Sequence, residues 1–262
     1  MKMRKIIHVN YLGQIRNKRH RVSRQFVYLL LCGLFLAPIK AWAYRPFVST
    51  DADVADKGEI EIEFGYFNWE RVDDENSYIT PQLVFNYGIT DSLELVGEFD
   101  VEHESGAKSQ LVDPGLFLKS VLKPGVLQGS QGLSFALEAG LLLPSEIDEE
   151  NQTGFEAFGI VSGTLSNFTW HFNLGGGVDR IDHSSFGLWG VAIEHPVNSN
   201  LKLVAELNAE SVKGEAADTS GLLGMVWEPA SFSSLELDLG IRQGASDEAA
   251  DWGATMGLTF SC

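Results

Sequence analysis

The most restrictive feature of the sequence is the alternation of residues 251–260, close to the C-terminus. One set of alternate residues is apolar: Trp252, Ala254, Met256, Leu258 and Phe260. The residues between them are small or polar. Because successive side chains of a β-strand point to opposite faces, this segment predicts a strand with one apolar face and one wet face.

The same alternation recurs along the chain. It is strong in six further segments, 60–66, 93–101, 133–143, 168–178, 201–209 and 235–241, and weaker in five, 78–89, 111–122, 154–165, 186–195 and 221–228. Together these segments predict an all-β fold, an antiparallel up-and-down transmembrane β-barrel of about 12 strands. An even number of strands places both termini on one side, which we expect to be the periplasmic side.

The N-terminal residues have the layout of a cleavable signal peptide. Residues 1–24 carry eight Lys or Arg and no acid, residues 26–37 are apolar, and Ala41-Trp42-Ala43 is a small-x-small site. The apolar run is too short to cross a bilayer comfortably as a helix. We therefore expect residues 1–43 to be a cleaved signal peptide and residues 44–262 to form a single domain, the outer-membrane β-barrel.

The charge of the remaining chain limits its partners. Cleavage would leave 10 basic and 36 acidic residues, a formal charge of −26. A polyanion of this kind is a poor partner for nucleic acid, but it attracts cations. We expect outer-membrane lipid and lipopolysaccharide, the barrel-assembly machinery and small-molecule solutes as partners.

A soluble β-sandwich is the alternative fold, since its strands alternate as well. Aromatic residues near strand ends, acids along the whole wet phase and the signal peptide favour the barrel. Pro81 counts against it, because proline inside a strand cannot donate a ladder hydrogen bond. No loop is long enough for a bulky plug, but residues 44–57 are a candidate to fold into the lumen.

The wet phase is predicted to face the lumen of the barrel. The predicted lumen-lining residues are Glu61, Glu63, Glu94, Glu98, Asp100, Lys119, Glu138, His171, Asn173, Lys202, Glu206, Glu236, Asp238 and Arg242. Carboxylates in this arrangement favour cations in a pore. The alternative is that they only solvate the interior and pair with the lumen bases.

Aromatic side chains bear on the width of the lumen. Phe67, Trp69 and Phe117 are predicted to face inward, with Trp189 as a further candidate. A barrel of about 12 strands is intermediate between a filled barrel and a wide pore. The lumen is thus expected to be a narrow channel or a partly apolar slot.

Catalytic and metal chemistry have little support. His171 and Asn173 share the wet phase with Ser134 and Ser162 as candidate neighbours, but no motif fixes a serine beside the histidine. The acids at 51, 53 and 56 miss the calcium-loop spacing and are expected to solvate the N-terminal segment. Three consecutive glycines, 175–177, are expected to relieve crowding at the wall. We expect no enzyme, no cofactor and no metal site.

Short motifs spread over most of the chain resemble a known family. They occupy residues 45–52 (RPFVSTDA), 57–61 (KGEIE), 81–83, 87–95 (YGITDSLEL), 113–115, 119, 143–144, 171–174 (HFNL) and 203–206 (LVAE). They are similar to an outer-membrane family of Gram-negative bacteria labelled as phenol-degradation meta-pathway or transporter proteins. The resemblance implies a barrel that admits small, often hydrophobic or aromatic compounds, and it carries over no site residues.

The sequence therefore predicts a channel or transporter of the cell outer membrane. Uptake of small, hydrophobic or aromatic molecules is expected to be passive, because no nucleotide-binding motif is present. A structural or surface-interaction barrel with a closed lumen is the first alternative. A barrel enzyme acting on lipid or ester is the second.

Overall fold

A computed structural model describes residues 45–72, 75–104, 109–144, 152–181, 183–232 and 234–262. The predicted signal peptide and the acidic run 146–150 lie outside the described residues. Within the described ranges, no helix has both the length and the hydropathy needed to cross a membrane.

Twelve antiparallel strands form a closed barrel. Each strand pairs with its neighbours in sequence, and the first strand closes the barrel against the last. The strands are β1 (Ile60–Val72), β2 (Glu75–Thr90), β3 (Leu93–Glu104), β4 (Gln110–Lys123), β5 (Ser134–Leu142), β6 (Gly154–Leu165), β7 (Phe168–Val178), β8 (Ser185–Asn198), β9 (Leu201–Val212), β10 (Asp218–Trp227), β11 (Leu235–Gly244) and β12 (Trp252–Ser261). The predicted all-β antiparallel barrel of about 12 strands is confirmed.

The barrel has two distinct ends. The terminal end, as we call it, carries the start of β1, the end of β12 and the connections 91–92, 124–133, 166–167, 199–200 and 228–234. The 3-10 helix Val126–Gln128 lies in one of these connections. The remaining connections lie at the opposite end, which we call the distal end. The periplasmic location of the terminal end stays a prediction.

The alternation of the sequence corresponds to the two faces of the wall. In β12, Thr255, Thr259 and Ser261 are buried inside the barrel, whereas Trp252 and Met256 are exposed on its outside. The outer face is rich in exposed aliphatic side chains, among them Leu116, Leu118, Leu137, Leu141, Leu203, Leu207, Leu239 and Ile241. An apolar outer surface around a polar interior is the arrangement that a membrane barrel requires.

A β-bulge reverses the predicted facing of two aromatic residues. The register of β1 against β12 shifts between Gly65 and Phe67. Phe67 therefore lies opposite Met256, and Trp69 lies opposite Ala254, both on the outer face. The extra residue of a bulge moves every later side chain to the other face, so the inward prediction for Phe67 and Trp69 is wrong.

Of the other two aromatic residues that were predicted to face inward, one does so and one does not. Phe117 is buried and faces inward, as predicted. Trp189 lies on the outer face, opposite the exposed Leu174 of β7. Its strand is apolar on both faces, so the sequence there does not indicate which alternate set is inside.

Pro81 is accommodated by a second irregularity. The register of β2 against β3 shifts between Ile79 and Gln82, which places the proline inside a local break of the ladder. Bulges are among the few positions in a sheet where proline is tolerated. Pro81 is consequently compatible with the barrel.

Candidate functional site

Residues 45–56, which precede β1, lie inside the barrel, and we call them the inner segment. Wall side chains bind it in turn from β3 at Ala55, through β6, β7 and β9, to β11 and β12 at Arg45. The predicted inward folding of residues 44–57 is thus observed, although Tyr44 lies outside the described residues. The inner segment follows the wall instead of filling the lumen with a separate domain.

Arg45, the first described residue, binds side chains of three strands, β2, β11 and β12. Its Nε atom donates to Asp238 Oδ2 at 3.3 Å, Nη2 donates to Thr255 Oγ1 at 2.6 Å, and Nη1 donates to Gln82 Oε1. Side-chain exposure is only 7% for Arg45 and 1% for Asp238. A buried guanidinium requires this set of partners, because an unpaired charge away from water is costly.

Two wall carboxylates accept backbone hydrogen bonds from the inner segment. Glu206 accepts from the N–H groups of Ser49 at 2.7 Å and Val48 at 3.0 Å, and it also pairs with Arg242 at 3.3 Å. Glu94 accepts from the N–H group of Ala55. The inner segment has no strand partner for these donors, so the wall acids replace the missing ladder acceptors.

The middle of the inner segment binds β4 and β7. Thr50 donates its N–H to Asn173 Oδ1 at 3.0 Å and accepts from Asn173 Nδ2 at 2.7 Å. Lys119 Nζ lies 3.1 Å from Thr50 Oγ1 and 3.3 Å from Asp51 Oδ1. Asp51 was expected to be solvated, but it is 5% exposed and forms a buried ion pair. That expectation is wrong because the segment enters the barrel.

His171 belongs to a directed chain of hydrogen bonds. The N–H of Ala52 donates to Ser162 Oγ at 3.0 Å, Ser162 Oγ lies 2.8 Å from His171 Nδ1, and His171 Nε2 lies 3.0 Å from Glu194 Oε1. Ser162 and His171 are 0% and 1% exposed. The serine oxygen already binds the inner segment and has no solvent access, so these bonds position the segment.

The remaining predicted residues also lie on the inner face. Asn86 Nδ2 donates to Glu61 and Glu63, and Gln82 Nε2 donates to Asp100 at 3.0 Å. Lys202 lies within 4 Å of three carboxylates, Glu194, Glu228 and Glu236. The structure therefore brings most of the predicted residues into polar networks, and their role in lining a transport path stays a prediction.

The inner segment leaves two cavities in the lumen. The terminal cavity has a volume of about 740 Å³ and reaches Glu59, Asp91 and Gln128. The distal cavity has a volume of about 580 Å³ and reaches Asp113, Asp179 and Asp218. Five residues border both cavities: Val48, Ser49, Glu98, Glu138 and Phe158. We call these five residues the constriction, since they lie between the two cavities and border both.

Sequence reasoning missed several residues of these networks and of the cavity walls. Arg45 precedes every strand, and Gln82, Glu156 and Glu194 lie in strands whose alternation is weak. The positions of Gln82, Glu156 and Glu194 on the wet alternate set of β2, β6 and β8 were a weak signal for these three residues. Within the described part of the chain, no group of three or more His, Cys, Asp or Glu is placed to hold a metal ion.

Asp53 is expected to make docking of the inner segment depend on pH. Burial, followed by the neighbouring Asp51 carboxylate, raises the pKa of Asp53 from 3.8 to about 6. Between pH 3.8 and about pH 6, Asp53 therefore carries a proton in the docked segment but not in the released segment. Docking is expected to weaken as pH rises from about 4 through about 6, by about fiftyfold between pH 4 and pH 7.

The variant Asp53→Asn tests this pH dependence. It keeps the oxygen that accepts from Gln128 Nε2 at 2.9 Å but does not titrate. We expect firmer docking at pH 7 and a flatter profile, measured by amide hydrogen exchange of residues 48–55 after correction for the intrinsic exchange rate. An unchanged profile in the variant would contradict the assignment.

Comparison with solved structures finds barrels of a similar fold. No protein-family model matches the chain, and neither does any curated protein. An outer membrane channel from Pseudomonas putida F1 is similar, with 11% identity and a TM-score of 0.55 over 82% of this chain and 100% of that chain. The NanC porin has 8% identity and a TM-score of 0.57, and the KdgM porin has 9% and 0.50, each over 77% of this chain and 98% of theirs.

The likeness shows the fold that this chain shares with outer-membrane channels and porins. At identities of 8–11% it transfers no substrate and no site residue. The resemblance to phenol-degradation proteins stays a prediction.

Proposed function

We propose that this protein is a passive outer-membrane channel for small molecules, with an acid-lined lumen narrowed by the inner segment. The observation that carries the proposal is the pair of cavities that share the constriction residues inside a closed barrel. A lumen with two adjacent cavities has room for small solutes, which a barrel filled by side chains does not. The buried His171 contacts favour positioning of the segment over hydrolysis, so we propose no enzymatic activity.

Cations are the solutes that such a lumen favours. The basic side chains Lys119, Arg180, Lys202 and Arg242 each lie within 4 Å of a carboxylate. Their charge is therefore compensated locally, while Glu98 and Glu138 border the constriction from β3 and β5. Carboxylates at a narrow point in a low-dielectric wall raise the local concentration of cations and exclude anions.

Single-channel recording in planar bilayers under a salt gradient tests the proposal. We expect a small, steady, cation-selective conductance. The double variant Glu98→Gln/Glu138→Gln is expected to lower the cation-to-anion permeability ratio by about threefold or more. Glu215→Gln is the matched control, because Glu215 is an exposed acid that borders neither cavity.

The opposite result would favour the alternative function. No conductance from a folded, heat-modifiable barrel would support a structural or surface-interaction protein with a closed lumen. An equal loss of selectivity in the Glu215 control would assign selectivity to overall charge and not to the constriction.

The remaining sequence expectations belong to the same proposal. We propose that residues 1–43 are removed during export, that residues 44–262 form the outer-membrane barrel, and that lipid, lipopolysaccharide and the barrel-assembly machinery are its partners. We also propose small hydrophobic or aromatic molecules among its solutes, which the resemblance implies and the aromatic lining of the distal cavity supports.

A further inference from the structure

The distal cavity has an apolar wall built across β6, β7 and β8. Phe158, Phe186 and Leu188 line the cavity, with Phe117 and Leu142 beside them. Gly175 lies between Phe158 and Leu188 in the register of the sheet, and Gly177 is paired with Phe186. A Cβ atom on Gly177 would lie 2.8 Å from Phe186 Cζ, and one on Gly175 would overlap the Cα and Cβ atoms of Phe158. Gly177 thus lets the ring of Phe186 lie over bare backbone, and Gly175 leaves room for the base of the Phe158 side chain.

Two carboxylates, Glu210 and Asp218, lie next to this apolar wall in the register of the sheet. Leu188 is paired with Glu210, and Glu210 is paired with Asp218 on the next strand. Both acids line the distal cavity and are exposed to it. An apolar surface and an anionic surface therefore adjoin within one chamber of about 580 Å³.

The two arginines of this cavity are bonded to other groups. Arg242 donates to Asn208 and Ser220 and pairs with Glu206. Arg180 lies 3.4 Å from Asp113 Oδ1 and donates to the carbonyl oxygen of Leu143. Neither arginine forms one of these direct bonds with Glu210 or Asp218, and Arg242 acts on Asp218 only at longer range. These two carboxylates are therefore available to pair with a positively charged ligand.

We propose that the distal cavity binds organic cations that carry an aromatic or short aliphatic group. The ammonium group lies towards Glu210 and Asp218, and the apolar group packs on Phe158, Phe186 and Leu188. Ion pairing, ring contact with the cation and apolar burial act together on such a molecule, whereas a neutral or anionic analogue loses the first two. The inference rests on the proposed channel function and specifies the solute class of its distal chamber.

Binding to the protein reconstituted in lipid nanodiscs at low ionic strength tests this inference. Three probes share a phenyl ring and differ in charge: phenethylammonium, phenethyl alcohol and phenylacetate. By isothermal titration, we expect the Kd of the ammonium probe to be about tenfold lower than that of the alcohol, and phenylacetate to bind most weakly. Equal affinities for the three probes would overturn the inference.

Variants separate the two parts of the site. Glu210→Gln/Asp218→Asn is expected to remove most of the preference for the ammonium probe and to leave the alcohol unchanged. Phe186→Ala is expected to weaken the binding of both probes. Glu215→Gln, at an exposed acid outside the cavity, is the control and is expected to change neither. If Glu215→Gln lowered the preference for the ammonium probe as much as the double variant does, the proposed site would be overturned.

Conductance recorded on the same preparation keeps the two proposals distinguishable. If the protein conducts ions but shows no preference for the ammonium probe, the inference fails and the channel stands. If it binds the ammonium probe selectively but does not conduct, the channel fails and the binding site stands.

Discussion

Deletion of residues 45–56 is expected to raise the single-channel conductance by about threefold or more. Val48 and Ser49 of the inner segment border both cavities and form one side of the constriction. Without it the lumen becomes one continuous chamber enclosed by twelve strands. Cation selectivity is expected to persist, because Glu98 and Glu138 belong to the wall.

The deletion is designed to preserve export and folding. The variant keeps residues 1–44 and joins them to Lys57, so the predicted cleavage site is unchanged. Strand pairing does not depend on the segment, and the vacated polar side chains become hydrated. Heat-modifiable migration on gels checks folding, and planar-bilayer recording measures conductance. Unchanged conductance in a folded barrel would show that the inner segment does not limit the path.

The strands were predictable because a closed barrel has only two environments. Each strand has one face towards the apolar surroundings and one towards the polar interior, so the sequence alternates with period two. For β6 the predicted range, 154–165, coincides with the observed strand. Where both faces are apolar, as around Trp189, the period no longer identifies the inner face.

Local irregularities break the alternation, and one strict period per strand does not predict them. At the bulge between Gly65 and Phe67 the apolar set moves from even to odd positions, so that Tyr66 and Phe67 are adjacent in the sequence. The pairing with β12 shows that the inner set changes there from odd to even positions. The inward prediction for Phe67 and Trp69 was wrong because it continued one phase of the alternation through an inserted residue.

The contacts of the inner segment were not predictable from periodicity at all. Arg45 and Asp238 are 193 residues apart, and Ala52 and Ser162 are 110 apart. Neither pair follows from a repeat, since the segment forms no strand. Alternation predicted that many of the polar wall side chains face inward. That they bind the inner segment could be seen only in the folded structure.

Glu206→Ala is expected to release the inner segment from its wall. The carboxylate of Glu206 accepts from the N–H groups of Val48 and Ser49 and pairs with Arg242. Its side chain is fully buried, so truncation leaves these donors without an acceptor in the interior. Each buried donor left unsatisfied costs about 1–3 kcal/mol. Docking of the segment is therefore expected to weaken by about 3 kcal/mol.

Two measurements separate release of the segment from a change of lumen charge. Amide hydrogen exchange at residues 48–50 is expected to accelerate by about a hundredfold, the factor that corresponds to about 3 kcal/mol. Conductance is expected to fluctuate between the native level and that of the deletion variant. Glu156→Ala removes a carboxyl group from the distal cavity without touching the segment, and it is expected to leave both properties unchanged. Equal effects of the two variants would mean that the lumen charge, and not the bonds to the backbone of the inner segment, keeps the barrel narrow.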